Sequence, residues 1–362
     1  MSATPAAVTS ADLYGHRVRA LRGERLPIPV EPCFVCGSRA ARPRFALDGL
    51  EARVVVCEGC GLGRFHPMLD ADRVAALYPD EYYGSPGVKF RPSIEWLVRA
   101  VGARHIQFLT RGLRRGNRVL DVGCGRGVLL GALADRGFEV HGLELSAAAV
   151  HGADPRADIR IAPDLAAARY PSAHFDQVVI WHVLEHLIDP RGTLEEVHRI
   201  LRPGGRLVVA VPNAASAQAR WTGAGWFHLD LPRHLYHFPL PALRRLLAVS
   251  GFEEVSSHHF SLRQNPFGWI QSVANHVPGL PRNGLYALLH RHSVADAPPY
   301  SRSVRALLWA FLVLTAPLSL AASLLETLAR SGATVHVVAV RASDAAAEMR
   351  AGGSTRAASS PA

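Results

Sequence analysis

The chain has 362 residues, 49% of them hydrophobic and 19% charged, which is enough apolar side chain for a sizeable core and excludes a wholly disordered chain. Its 31 glycines and 25 prolines follow no period, excluding collagen-like and repeat architectures, and five cysteines at this length exclude a small disulfide scaffold. The net charge is +10, but Lys89 is the only lysine and the arginines are scattered, which argues against a nucleic-acid surface.

Residues 1–12 lack a basic start followed by an apolar run. No signal peptide is therefore expected, and the chain should meet the reducing cytosol, where paired cysteines suggest metal rather than disulfide. Four of the five cysteines form two equal steps, Cys33-x-x-Cys36 and Cys57-x-x-Cys60, each followed by glycine. A two-residue gap lets both thiolates of a tight turn face one ion, so the pair of knuckles predicts a closed, structural zinc site with four sulfur ligands. Two short strands, 44–47 and 52–56, should lie between the knuckles around a turn at Asp48-Gly49. The expected organisation is an extension at 1–30, this zinc-ribbon module at 31–66, and a linker with a lid helix at 67–117. Within the linker, Tyr78, Tyr82 and Tyr83 suggest either a packed boundary turn or a lid. Ser93 is a good N-cap for an apolar-faced helix over 93–113.

From Arg118 the chain alternates strand and helix. Strands are predicted at 119–122, 139–145, 159–162, 177–181 and 206–211, with helices at 128–136, 147–151, 165–169 and 193–201 between them. This order demands an α/β, Rossmann-like parallel sheet with helices on both faces, and ligands beyond the carboxyl ends of its strands. The first strand ends in Asp121-Val-Gly123-Cys124-Gly125-Arg-Gly127. This G-x-G-x-G spacing differs from the G-x-G-x-x-G of dinucleotide enzymes. Asp121 would repel a pyrophosphate and tolerate a cation. Glu144, ending the second strand, can accept both hydroxyls of a ribose, and Asp164 can accept from an adenine amino group. The pocket should take an adenosine carrying positive charge and no phosphate, a description that S-adenosylmethionine fits.

Residues 118–213 resemble the class I S-adenosylmethionine-dependent methyltransferases. VLDVGCGRG looks like their glycine motif, GLELS their ribose-acid motif, FDQVVIWHVLEHLIDP their fourth-strand motif and LRPGGRLVVAVPN their fifth-strand motif. The resemblance implies cofactor contacts from Asp121, Gly123, Cys124, Gly125, Gly127, Glu144, Leu145, Asp164, Leu165 and Trp181. By itself Cys124 reads as a small packing residue. The cysteine module, Tyr82-Tyr83 and the later PRHLYHF extend the resemblance to a branch common among bacterial sugar, polysaccharide and secondary-metabolite methyltransferases. That branch implies transfer to a small acceptor, at oxygen or carbon.

After the fourth strand stand His182, Glu185 and His186, on one face of a helical turn. They also fit the H-x-x-E-H of a zinc protease, but the match sits at a strand end of a nucleotide-type sheet and no third ligand is evident in the sequence. After the fifth strand come Trp221, Trp226, His228, Asp230, Arg233, His234, Tyr236 and His237, a set suited to a sugar-like or aromatic acceptor. His234 is the favoured base, with His186, Glu185 and His182 as the other catalytic candidates; a packed lid with satisfied histidines is the plainer reading.

The core should run over 118–262, with a helix at 242–249 and a sixth strand at 252–257. Its last strand, at 332–342, should pair with the sixth across a hydrophobic helical insertion at 263–331. Residues 306–325 carry no charge and could by length span a bilayer, yet one crossing would put two strands of one sheet on opposite sides. Residues 304–328 therefore suggest peripheral membrane contact from the cytoplasmic side, a homodimer face, or plain core. The tail 343–362 is expected to be disordered. Two other functions stay open: an RNA base methyltransferase with a zinc module, and a non-catalytic scaffold. The knuckles carry only Arg39, Arg42, Arg44 and Arg53 nearby, and Asp121, Glu144 and the glycines are all present.

Overall fold

The computed structural model describes residues 17–21, 29–78, 105–289 and 300–342. The expected motif at Tyr82 and Tyr83, the helix start at Ser93 and the tail lie outside the described residues; residues 105–110 are helical.

The N-terminal sheet contains β1 (Val18–Ala20), β2 (Ala41–Leu47), β3 (Arg53–Cys57) and β4 (Gly63–His66), joined antiparallel in that order. β2 and β3 flank the turn at Asp48-Gly49, as their alternating patterns predict, and Val54, Val55 and Phe65 are buried. The core sheet contains β5 (Arg118–Val122), β6 (Glu139–Glu144), β7 (Asp158–Ile161), β8 (Phe175–Trp181) and β9 (Leu201–Pro212). A two-residue strand, β10 (Tyr236–His237), leaves that sheet and pairs with β4 of the other. The sheet that holds β2 to β4 thus also takes in β1, from the expected extension, and β10, from the expected core.

β11 (Phe252–His258) and β12 (Thr334–Arg341) complete the core sheet, whose order is β11-β12-β9-β8-β5-β6-β7. The strands β5 to β9 pair in parallel, while β12 runs antiparallel to both β9 and β11. Strand order reverses between β5 and β8, which opens a crevice at their carboxyl ends. β5, β8 and β9 lie in the middle of the sheet, and their apolar residues Leu120, Val178, Ile180, Val208 and Val209 are fully buried. Residues 147–151 and 165–169 form turns where short helices were expected, because runs of five residues cannot offset the cost of helix nucleation.

The insertion between β11 and β12 folds into helices Asn265–Ala274, Gly284–Leu289 and Arg302–Leu328. Ile270, Ala274, Leu285, Leu288 and Leu308 form their own small core.

Candidate active site

The chain leaves β5 at Val122 and turns through Gly123, Cys124 and Gly125 to Gly127, which caps the helix Val128–Ala134. Gly123 has φ +73°, and a Cβ there would stand 2.5 Å from Val183 Cγ2 in the loop after β8. Only glycine lets the two loops approach this closely. The N–H groups of Gly123 and Cys124 donate to the Leu143 carbonyl at 2.8 and 3.1 Å. Glu144 accepts from the N–H of Gly125 on Oε2 and of Leu145 on Oε1, both at 2.8 Å. The glycine loop is thereby latched to the end of β6, and each Glu144 oxygen retains a further lone pair for a ligand hydroxyl. Asp121 and Glu144 are both buried. Gly142 has Cys124 Sγ only 2.7 Å from where a Cβ would be, so Cys124 fills space beneath the loop. Burial, then the charge of Asp121, pushes the Cys124 thiol up, so it stays protonated and inert at neutral pH.

Burial, then the negative charge of Glu144, pushes Asp121 up to about 8. Its folded-state value lies above the ordinary 3.8, so the protonated form is favoured. The stability this contributes is fully present in acid below the ordinary value and is lost as pH rises through about 8. A cationic ligand reverses the preference and holds Asp121 ionised. S-adenosylmethionine binding at neutral pH should therefore release a proton, and affinity should rise with pH up to about 8. Titration calorimetry in two buffers of different ionisation enthalpy reads this directly; identical heats would contradict it.

Of the remaining cofactor candidates, Asp164 and Leu165 follow β7 and Trp181 ends β8. Leu165 is buried beyond β7, while Asp164 is exposed and its Oδ1 accepts from Ala167 N at 2.7 Å. Trp181, at the end of β8, lies between the rings of His105 and His336, with centroids 3.7 and 4.4 Å away. Sequence patterning gave no sign of either histidine.

The structure brings the catalytic candidates together from two loops. Leu184–His186 form one turn of 3-10 helix after β8, and His182 holds φ +55°. Leu235 N donates to the Glu185 carbonyl at 2.8 Å, and Tyr236 OH donates to the Ile188 carbonyl at 3.0 Å. These bonds seat the segment around His234 on the 3-10 turn. The His186 and His234 rings lie 4.6 Å apart, and ligand atoms of Glu185, His186 and His234 all fall within 4.8 Å of one another. The third group, which the sequence did not place beside Glu185 and His186, is thus His234, 48 residues downstream by numbering. Tyr78 adds its hydroxyl, 2.7 Å from His186 Nδ1.

A histidine nitrogen whose one partner is a backbone carbonyl carries the hydrogen in the neutral ring, because a carbonyl only accepts. His234 Nδ1 lies 2.8 Å from the His228 carbonyl, and His186 Nδ1 lies 3.0 Å from the Arg233 carbonyl. In His234 Nε2 is then the basic nitrogen, whereas His186 Nδ1 is shared between the Arg233 carbonyl and the Tyr78 hydroxyl. Burial, then the charge of His234, holds His186 at about 4, so it is neutral at physiological pH. Burial opposes ionisation of Glu185, but the His182 hydrogen bond and the surrounding histidines outweigh it and hold the carboxyl at about 2. His182 Nδ1 is 3.3 Å from Glu185 Oε1. Asp230, with φ +33°, pairs with Arg233 at 2.6 Å. Glu185 Oε2 and the Nε2 atoms of His182, His228 and His237 are buried without a hydrogen-bond partner among the described residues. Buried polar atoms of this kind call for a polar ligand.

The four cysteines also converge. Cys33 Sγ lies 3.6 Å from Cys60 Sγ, and Cys36 Sγ lies 3.5 Å from Cys57 Sγ. Sulfurs bound tetrahedrally at about 2.3 Å from one zinc ion lie about 3.8 Å apart, so the set fits such an ion. Its module abuts the loop that carries His234: β4 pairs with β10, Phe65 N donates to the Leu235 carbonyl at 3.2 Å, and the Phe34 and Tyr236 rings meet edge to face at 5.3 Å.

A doubly wound sheet of this order, with an acid-flanked glycine turn on its first core strand and an acid ending the next, is similar to the sheet of class I S-adenosylmethionine-dependent methyltransferases. Comparison with known proteins agrees. A family model described as a methyltransferase domain matches residues 94–257. A Mycolicibacterium smegmatis protein named "Probable S-adenosylmethionine-dependent methyltransferase" is 37% identical over 142 residues, 38% of this chain and 52% of that protein. The Ubiquinone biosynthesis O-methyltransferase of Xanthomonas oryzae pv. oryzae is 35% identical over 134 residues, 34% of this chain and 55% of that protein. The chain thus spans about half the length of the curated relatives it matches. Among solved structures, an S-adenosylmethionine dependent methyltransferase from Mesorhizobium loti is 17% identical, with a TM-score of 0.42 over 67% of this chain and 98% of that one.

Proposed function

We propose that this enzyme transfers a methyl group from S-adenosylmethionine to a hydroxyl or carbon of a small polar acceptor, such as a sugar, a lipid-linked glycan or a natural product. The observation that carries this reading is the group of Glu185, His186 and His234, gathered at the carboxyl ends of the strands beside the cofactor crevice. S-adenosylmethionine, when bound, supplies a methyl group on a positively charged sulfur. Asp121 would face positive charge and Glu144 the ribose, while Gly123, Gly125 and Gly127 keep the loop low enough for close approach.

A hydroxyl acceptor must lose its proton as its oxygen gains the methyl. Nε2 of His234 takes that proton in this reading, since Nδ1 is already committed to the His228 carbonyl. Glu185, ionised and buried, stabilises the positive charge that then appears on the histidine pair. Asp230 and Arg233 hold the loop in its left-handed turn. The orphaned nitrogens of His182, His228 and His237 would meet acceptor hydroxyls. The O-methyltransferase name of several relatives supports oxygen as the accepting atom. The test is incorporation of radiolabelled methyl from S-adenosylmethionine into a panel of nucleotide-linked sugars, lipid-linked sugars and phenols, with tRNA as the opposing substrate. Label in a hydroxylated small acceptor is the expected result; label in RNA alone would overturn it.

A further inference from the structure

We propose that the exposed face of helix Arg302–Leu328 docks flat on an anionic lipid bilayer. The helix has 27 residues and a mean hydropathy of 2.0 in its most apolar window, of which 17% is buried. Its inner face packs on helices Asn265–Ala274 and Gly284–Leu289 through Leu308, Ser319, Ser323 and Glu326. Everything exposed from residue 306 to residue 328 is apolar, including Leu314 at 72%, Leu318 at 72% and Leu328 at 82%. A contiguous apolar stripe six turns long marks an interaction surface rather than ordinary solvent-facing helix.

Crossing the bilayer is excluded by topology. The helix lies between β11 and β12, which are hydrogen-bonded neighbours, so one crossing would separate two strands of one sheet. A helix lying in the interface satisfies both facts.

The charges at the ends name the occupant. Arg302 and Arg305 are exposed at the start, and Arg330 is exposed just past the end. Arg220 joins the second group, its Nη2 lying 3.4 Å from Ser331 Oγ. The helix's one acid, Glu326, is turned inward and accepts from Trp269 Nε1. Trp221, 70% exposed beside Trp269, supplies the amphipathic ring favoured at a headgroup boundary. A second copy of the chain fits less well. An isologous pairing through this stripe would set arginine against arginine at both ends, whether the helices ran parallel or antiparallel. Lipid phosphates complement both ends at once. The stripe also ends on the acceptor side of the sheet, since Asn213 N, just after β9, donates to the Ala333 carbonyl at 2.8 Å.

The docking does not depend on which acceptor is methylated, and its test is separate. The full-length protein is floated with vesicles of phosphatidylcholine containing phosphatidylglycerol, and with phosphatidylcholine alone. It should float with the anionic vesicles and about tenfold less with the neutral ones. The double variant Leu314→Ser/Leu318→Ser should lose flotation while keeping S-adenosylmethionine binding, which shows that it is folded. Arg302→Gln/Arg305→Gln should weaken binding to anionic vesicles only. Protein remaining unfloated in every composition would overturn the proposal, as would equal flotation with neutral vesicles. So would a dimer in sedimentation velocity that the leucine variant dissolves, which would give the face to a second copy.

Discussion

His234→Ala is expected to lower turnover about a hundredfold or more while S-adenosylmethionine affinity stays nearly unchanged. The separation follows from position. His234 sits on the loop after β9, with its Nδ1 2.8 Å from the His228 carbonyl and its ring against His186, whereas the proposed cofactor residues lie at the ends of β5 and β6. Removing the ring deletes the nitrogen proposed to take the acceptor proton and leaves Asp121 and Glu144 in place. Initial rates with the true acceptor, beside calorimetric affinity for S-adenosylmethionine, check both halves. A large loss in His186→Ala with none in His234→Ala would move the base to the turn after β8. No loss in either would mean that alignment alone carries the rate.

Cys57→Ser should remove the bound metal, from about one zinc per chain to almost none, and with it the ordered N-terminal sheet. Structural zinc contributes on the order of 10 kcal/mol to the folding of small cysteine modules, far more than the short strands β1 to β4 supply alone. The damage should not stop at the module. β4 is the pairing partner of β10, and a Cβ on Gly63 would stand 2.9 Å from His237 Cβ, so the sheet edge presses directly on the loop that carries His234. Turnover should therefore fall with the metal, while cofactor binding persists because the Glu144 latch lies within the core sheet. Metal analysis of freshly reduced protein, thermal melting and initial rates read the three effects. A zinc-free variant with undiminished turnover would show that the module is only an appendage.

The parts of this arrangement that obey local rules could be read from the chain. Short apolar runs between helical patterns located β5 to β9, β11 and β12, and the two-residue cysteine gaps located the four cysteines that converge. The acid-glycine turn and Glu144 were legible because a glycine-rich turn after one strand and an acid ending the next stand out as a local pattern. What escaped were contacts made by the fold. Nothing in residues 63–66 announces that they pair with residues 236–237, since two-residue strands have no period to detect. Likewise, the meeting of Tyr78, His186 and His234 depends on how two loops cross, not on spacing along either. Residues 147–151 and 165–169 misled because alanine-rich turns share the composition of helices and lack only their length.

One titration bears most directly on the identity of the domain. Calorimetry of the wild-type protein with S-adenosylmethionine should show binding, with no binding of NADH. Glu144→Ala should weaken that binding by about 1–3 kcal/mol, because it leaves the ribose hydroxyls unpaired and frees the Gly125 and Leu145 N–H groups. Unaltered affinity in the variant, or tight NADH binding by the wild type, would contradict the assignment of this crevice.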